Sequence, residues 1–428
     1  MIQLIKGFKD ILPDESGYWR QVENLAAEIF ACFGFVELRP PILERTGLFE
    51  KSIGQDTDIV EKEMYTFADR KGDLVTLRPE ATASVVRAYI QHQLYAANPC
   101  RKLYTIGPMF RRERPQKGRY RQFHQINAEA FGVKEPYLDA QMILLVTTLF
   151  RRLGIDDVTV HLNSLGCRQC RPAYKQALHA FLEKHREILC ADCRQRLDRN
   201  PLRVLDCKVE ECRRAAAGAP AIAACLCPEC EAHFAAVKTL LTDLHVDFQL
   251  DDRLVRGLDY YTRTTFEVQT GSLGAQNAIA GGGRYDELVK MLGGPDQPAV
   301  GFAVGCERLI ELVRQSNRLT IETGVDLFIA ALGSEIREKA FRWMSELQLF
   351  GFSVEMCFDE RGLKSQMKQA DRLGAAETLI IGESELSAGR AVLRNMRTQQ
   401  QRELPLAGLV EQLKTLLTDP TTRKGIST

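Results

Sequence analysis

Residues 110–131 read FRRERPQKGRYRQFHQINAEAF. Two stretches of extended pattern, Phe110–Glu113 and Gln122–Phe131, flank PQKGRY, whose Pro and Gly interrupt helix and strand alike. A hairpin is the expected result, and a hairpin commits this part of the chain to an antiparallel sheet. Arg111, Arg112, Arg114, Lys117, Arg119 and Arg121 crowd residues 110–124, opposed there only by Glu113. The chain as a whole has a net charge of only +1, so any affinity for polyanions has to come from local patches of this kind. Taken alone, the stretch is compatible with a solvated hairpin, a phosphate site or a nucleic-acid contact.

The flanking sequence builds a sheet-and-helix core around this hairpin. Trp19, Val22, Leu25, Ala26, Ile29, Phe30 and Phe33 fall at helical spacing, with Ser16 as the expected N-cap. FVELRPPILE then turns extended, and Pro40–Pro41 excludes a central strand, so the helix should feed an edge strand. Strands are expected at Met64–Phe67, Leu74–Arg78, Leu103–Ile106 and Val158–Leu162, with helices from Pro79 to about Gln93 and at Asp139–Leu153. Residues 167–248 are rich in Cys, Arg and Ala and read as a mostly helical insertion containing a linker, AAAGAPAIAA. Strands resume at Phe266–Gln269 and Ala278–Ala280, GGGRYD follows, and Pro298–Arg314 reads strand-to-helix. From residue 325 onward, VDLFIAAL, EIREKAFRWMSELQLFG, FSVEMCF, GLKSQMKQADRLG and TLIIG alternate strand and helix, the pattern of a separate α/β unit with a partly parallel sheet.

Several classes fall away. With 45% hydrophobic and 26% charged residues in 428, the composition is that of a soluble globular protein. No apolar run nears the roughly 20 residues needed to span a bilayer, and MIQLIKGFKDILPDESG lacks the apolar core of a signal peptide; a cytoplasmic protein is expected. There is no GxxxxGK[ST], GxGxxG or HExxH. A nucleotide site would therefore rest on arginines, whose fork binds phosphate in pairs of hydrogen bonds and whose flat face stacks on a purine.

Nine of the 13 cysteines lie between Cys167 and Cys230. Cys167 and Cys170, Cys190 and Cys193, Cys207 and Cys212, and Cys227 and Cys230 make four close pairs. Disulfides are disfavoured in a reducing compartment, whereas this spacing suits tetrahedral thiolate sites. Structural zinc and unligated thiols are both open readings, and no catalytic role is expected of the cluster.

Five stretches, in order, resemble the class II aminoacyl-tRNA synthetases, and among them the histidyl-tRNA synthetase family, over essentially the full length. FRRE with its basic loop and RQFHQINAEAFG is similar to the second class motif, and GFAVGCERL at 301–309 to the third. The helix through Phe33 with ELRPP resembles the first, which in that family builds a homodimer interface. RGLDYYTRTTFE (256–267) and AIAGGGRYDELV (278–289) resemble two histidine-specific signatures.

The resemblance implies an α+β catalytic core at residues 1–324, with an antiparallel sheet of six or seven strands and flanking helices. The helical insertion at 167–248 interrupts it, and an α/β anticodon-binding domain follows at 325–428. It further implies that L-histidine and ATP, as its Mg2+ complex, give histidyl-adenylate and pyrophosphate, and that histidine then passes to the 3′ end of tRNA(His). By the same resemblance Arg111 meets the α-phosphate and the amino-acid carboxylate, and Arg256 stands near the α-phosphate where other class II enzymes place a metal. Arg308 stacks on the adenine near the γ-phosphate, Arg121 reaches phosphate, and Glu113 meets the adenine amino group. Glu129 and Tyr261 pair with the two imidazole nitrogens, Glu80, Thr82 and Gln125 hold the α-ammonium, and Tyr260 and Tyr285 line the pocket. Gln116, Lys117 and Arg119, at the hairpin tip, meet the tRNA acceptor end. Independently of any family, Gln125, Asn127 and Glu129 alternate and so share one face of a strand, as a common pocket requires.

Blander readings stand beside these. Arg256 could close a salt bridge with Asp252 or Asp259, Glu129 could be an exposed carboxylate, and the triple glycine Gly281–Gly283 could be a turn. A histidine-binding regulatory paralogue of the histidine-biosynthetic phosphoribosyltransferase would resemble the same core. Such a paralogue lacks the C-terminal domain and often the catalytic arginine, both present here.

Overall fold

The strands Arg101–Phe110 and Gln122–Phe131 pair antiparallel along their full length, from Arg101↔Phe131 to Phe110↔Gln122. One continuous strand thus replaces the two short ones expected before the turn. It ends at Phe110, so Arg111–Glu113 lie beyond the ladder, where their side chains are free of the period-2 alternation. The structure is a computed structural model that describes residues 2–55, 57–116, 118–273, 277–316, 318–319 and 324–418. The expected site residue Lys117 lies outside the described residues. Two compact units are formed, Met1–Leu319 and Thr320–Thr428.

In the first unit the hairpin belongs to an eight-stranded sheet. Its order is Val36–Glu37, Arg101–Phe110, Gln122–Phe131, Ala299–Gly305, Ala278–Arg284, Thr262–Gln269, Thr159–Ser164 and Phe248–Leu250. The six inner strands pair antiparallel, and each outermost strand pairs parallel with its neighbour. The double-proline segment does follow a two-residue edge strand, Val36–Glu37. A second, three-stranded sheet runs Leu43–Arg45, Leu74–Leu77, Tyr65–Ala68.

The helices Pro13–Cys32 and Pro136–Arg152 bury their apolar faces in one core with this sheet. Trp19, Val22, Ile29 and Phe30 come from the first, Met142, Ile143, Val146 and Phe150 from the second, and Phe266, Val268, Val300 and Phe302 from the strands. The first helix begins at Pro13, three residues before the expected cap. Proline suits the first turn because its missing N–H has no partner there in any case, and the Ser16 hydroxyl donates instead to the Pro13 carbonyl at 3.3 Å.

Gly281–Gly283 form no turn. They lie inside the strand Ala278–Arg284, between two neighbouring strands. At the end of that strand the fully buried Arg284 clamps the equally buried Asp139 of the Pro136–Arg152 helix, Nε lying 3.1 Å from both carboxylate oxygens.

Between Ser164 and Phe248 the chain leaves the sheet and returns, through helices Cys170–Glu183, Ala191–Arg199, Glu210–Ala215 and Pro228–Asp243. The first three enclose a small core of Tyr174, Leu178, Leu182, Leu197, Val204 and Ile222, whereas Pro228–Asp243 packs Phe234, Val237 and Leu241 into the main core. The AAAGAPAIAA stretch is part of that core, with Ala215, Ala216 and Ile222 buried. Its small side chains serve close packing, so the linker reading is corrected.

The second unit carries a mixed five-stranded sheet ordered Val354–Met356, Leu327–Ala331, Glu377–Ile381, Arg390–Asn395, Gln401–Pro405. The first three strands run parallel and the rest antiparallel. Helices Ser334–Leu349 and Leu409–Thr418 contribute Ala340, Leu347, Leu413 and Leu417 to its core.

Candidate active site

A cleft of about 350 Å³ opens on the sheet of the first unit, and the strand Gln122–Phe131 supplies its floor. Gln125 and Asn127 point into it from alternate positions, opposite Gly305 and Ala303 of the next strand. The side-chain oxygens of both are buried without a hydrogen-bond partner. Buried polar atoms are nearly always paired, so these two are aimed at something the chain does not itself supply.

Glu129, two residues on, lies behind Thr82 at the base of the cleft and is buried. Its carboxylate accepts the Thr82 hydroxyl at 2.6 Å and the Tyr285 hydroxyl on its other oxygen. Loss of hydration pushes its pKa up to about 8, against the pull of those two hydroxyls. Gly301 stands opposite on the neighbouring strand, where a Cβ would come within 1.6 Å of the Glu129 carboxylate, so only glycine leaves this carboxylate room. Glu129 is therefore no exposed acid.

Glu80 is the second buried acid. It accepts the backbone N–H of Thr82 at 2.6 Å and of Ala83 at 2.9 Å, at the first turn of the helix Thr82–Gln91. Burial raises its pKa, and those N–H groups oppose the rise. Tyr260, Tyr261 and Tyr285 pack beside the two acids, with Tyr260 5.5 Å from Tyr285 and 4.7 Å from Tyr261 between ring centres.

Arg111, Arg119, Arg256 and Arg308 line the cleft as well. Arg111 is fixed by donating Nε to the Pro79 carbonyl at 2.9 Å and by lying over the Phe123 ring. Arg119 faces Glu113 at 3.3 Å, so these two residues of the basic hairpin meet across its neck. Gln116 and Arg119 exchange backbone hydrogen bonds, and Gly118 turns at φ +73°, which narrows the tip. Arg308 donates to the Ala278 carbonyl, and burial together with the neighbouring Arg119 lowers its pKa. A cation depressed by another cation marks a place that favours an anion.

Arg256 is placed by Glu267, which accepts Nη1 at 2.7 Å, and by the Tyr261 ring 5.9 Å away. Neither Asp252 nor Asp259 is its partner, and its Nε is buried without one. Gly281 makes this arrangement sterically admissible, because a Cβ there would sit 2.2 Å from the guanidinium.

Arg121 stands apart from the other expected phosphate ligands. Its guanidinium turns to the carbonyls of Glu113 and Lys6, tying the hairpin to the N-terminal segment. Sequence reasoning did not single out Glu63, Glu267 or Glu307. Glu63 and Glu267 line the cleft, and Glu307 lines it while holding the His124 backbone N–H at 2.9 Å and its ring at 3.0 Å. Glu267 ends the very stretch RGLDYYTRTTFE; its place opposite Arg256 across the bend was the missing information.

A largely antiparallel sheet of this order, with an arginine of a strand–loop–strand hairpin and the arginine of a strand-to-helix junction lining one cleft, defines the core of a class II aminoacyl-tRNA synthetase. Comparison with known proteins narrows the class. The profile described as histidyl-tRNA synthetase matches residues 7–309, and that described as an anticodon binding domain matches 326–416. The chain belongs to the histidyl-tRNA synthetase family.

It is 66% identical over 417 residues to the histidine–tRNA ligase of Desulfosudis oleivorans, covering 97% of this chain and 99% of that one. It is 56% identical over 419 residues to that of Desulforapulum autotrophicum, covering 98% and 99%. The crystal structure of apo Staphylococcus aureus histidyl-tRNA synthetase superposes with a TM-score of 0.82 at 36% identity, over 97% of this chain and 100% of that one. Among the described residues no helix is long and apolar enough to cross a membrane.

Proposed function

We propose that the chain activates L-histidine with ATP to histidyl-adenylate and pyrophosphate, then transfers histidine to the 3′ end of tRNA(His). The observation that carries this reading is that one cleft brings buried acids together with fixed arginines. The buried Glu80 lines it and the buried Glu129 lies behind Thr82, while Arg111, Arg119, Arg256 and Arg308 line it together with Glu63, Glu113, Glu267 and Glu307. A zwitterionic amino acid with a nitrogenous side chain would be held by the acids, with its carboxylate turned toward the arginines.

In-line attack of that carboxylate on the α-phosphate brings two anions together, and fixed guanidinium groups lower that cost because they need no reorganisation during the reaction. Arg111 would meet the carboxylate and the α-phosphate, held in place by Pro79 and Phe123. Arg256 would stabilise the pentacoordinate transition state, steadied by Glu267. Arg308 and Glu113 would receive the rest of ATP, which enters as its Mg2+ complex. Glu129 and Tyr261 would take the two imidazole nitrogens, a polar pairing that an apolar side chain cannot reproduce. Glu80, Thr82 and Gln125 would hold the α-ammonium beside Tyr260 and Tyr285. The hairpin tip, Gln116–Arg119, would meet the acceptor end of tRNA(His).

Residues 1–324 would form the catalytic domain and 325–428 the anticodon-binding domain of a cytoplasmic homodimer. The regulatory alternative is set aside because near-full-length relatives at 66% and 56% identity bear the ligase name. Charging of tRNA(His) with radiolabelled histidine, read as acid-precipitable counts, tests the second step. Histidine binding with neither adenylate formation nor charging would reject the ligase reading in favour of the regulatory one.

A further inference from the structure

We propose that the insertion holds two zinc ions, one in each of two separate tetracysteine sites. Cys167, Cys170, Cys227 and Cys230 form the first, and Cys190, Cys193, Cys207 and Cys212 the second. The folding brings the four close pairs of the sequence together two by two: first with last, and the middle two with each other. In each group all four sulfurs lie within 4.8 Å of one another. In the first, Cys167 Sγ is 3.7 Å from that of Cys170 and 3.9 Å from that of Cys227; in the second, Cys190 and Cys207 are 4.0 Å apart.

These separations match four thiolates around a single tetrahedral ion. A tetrahedron with Zn–S bonds of about 2.3 Å has edges of about 3.8 Å. All 13 cysteines are free thiols. Cluster-type iron–sulfur centres set their cysteines on different irons and so need them further apart. Four thiolates on one divalent ion leave a net negative charge, which backbone N–H donors ordinarily offset. Such donors are in place: Gln169 N–H to Cys167 (3.4 Å), Cys227 N–H to Cys170 (3.1 Å) and Cys190 N–H to Cys212 (3.2 Å). Gly166, at φ +61°, lets the first knuckle close, since a Cβ there would press on Cys170 at 2.6 Å.

The two sites have different structural consequences. The first ties the residues where the chain leaves the sheet, just after Ser164, to those where the returning helix Pro228–Asp243 begins. It closes the neck of the insertion. The second lies within the insertion, whose apolar core is small for its length, the situation in which domains rely on metal or disulfide cross-links. Between Cys193 and Cys207 run Arg196, Asn200 and Arg203. Arg203 donates to the Gly257 carbonyl at 2.8 Å, next to Arg256, and Arg196 pairs with Asp58 at 2.7 Å. Loss of the inner ion should therefore loosen the segment that carries Arg256.

The test is metal analysis of the full chain purified without chelator and without added zinc. About two zinc ions per chain are expected, and about one in each of the paired variants Cys170→Ser/Cys230→Ser and Cys193→Ser/Cys212→Ser. Because either variant could misfold, zinc release from the unmutated chain by a mercurial, followed with a metallochromic dye, gives a second count. It should free about two ions as eight thiols are titrated. Replacement of zinc by cobalt should give the intense visible bands of tetrahedral thiolate coordination at both sites. Fewer than about 1.5 equivalents of zinc in the unmutated chain, iron in its place, or disulfides among these eight cysteines would overturn the proposal.

Discussion

Arg256 donates to Glu267 at 2.7 Å across a gap that Gly281 keeps open. One edge of the guanidinium is fixed and its buried Nε is left for a ligand. Removing a positioned donor that meets developing charge typically costs about 10²- to 10³-fold in rate. Arg256→Ala should slow ATP–pyrophosphate exchange by at least that factor while tRNA binding in a filter assay changes little. Near-normal exchange would show that the guanidinium serves only the sheet.

The two adjacent glycines should separate activity from stability. A methyl at position 281 meets only the guanidinium of Arg256, whereas one at 282 would come within 2.3 Å of the Gly301 carbonyl and 2.8 Å of the Phe266 ring. Gly281→Ala should lower the exchange rate by about tenfold or more, by displacing the guanidinium, with little change in thermal midpoint. Gly282→Ala should instead destabilise the fold by about 1–3 kcal/mol, the usual cost of overpacking a core. Equal midpoints for the two variants would contradict this account.

Glu129 predicts a pH dependence of opposite sign to that of most carboxylates. Its folded pKa, about 8, lies above the ordinary 4.5 because burial penalises the charged form. The folded state thus binds this proton more tightly than the unfolded chain, and stability is lost as pH rises from about 4.5 through 8. Glu129→Gln removes the titration. Its stability relative to the unmutated chain should climb over that window and level off above it, as read from denaturant midpoints. A difference that is flat with pH would place Glu129 in a wetter setting than the structure gives it.

Asp139 behaves in the reverse way. Burial alone would raise its pKa, but the charge and hydrogen bonds of Arg284 and His233 hold it at about 2. Its contribution to stability is complete above pH 4 and is lost as pH falls toward 2. Asp139→Asn strands a buried guanidinium, and breaking a buried pair in this way typically costs about 3–5 kcal/mol. The variant should melt well below the unmutated chain at pH 7, and the gap should narrow in acid.

Much of this was legible in the sequence because its signals were local. The helical spacing from Trp19 to Phe33, the hairpin around PQKGRY and the strand–helix alternation after residue 325 each follow from short-range periodicity. Arg111, Glu113, Gln125, Arg256 and Arg308 were identified through motifs that keep chemistry and spacing together, and all five line one cleft. What escaped depends on contacts far apart in the chain. Gly281–Gly283 allowed either a close backbone approach to a ligand or a turn, since nothing local reveals that neighbouring strands and an arginine fill the space beside them. Arg121 looked like a phosphate ligand until the Lys6 carbonyl, 115 residues away, claimed its guanidinium. The sorting of four cysteine pairs into two groups of four was likewise beyond any reading of spacing alone.

Selection of histidine for adenylation rests on the polar groups gathered at this cleft. Its most direct test is ATP–pyrophosphate exchange by the unmutated chain with each of the twenty amino acids in turn. Exchange is expected with histidine, and with every other amino acid at a level lower by at least about 10³-fold, as a site built on a buried acid should enforce. Exchange driven by another amino acid, or none with histidine, would contradict the account.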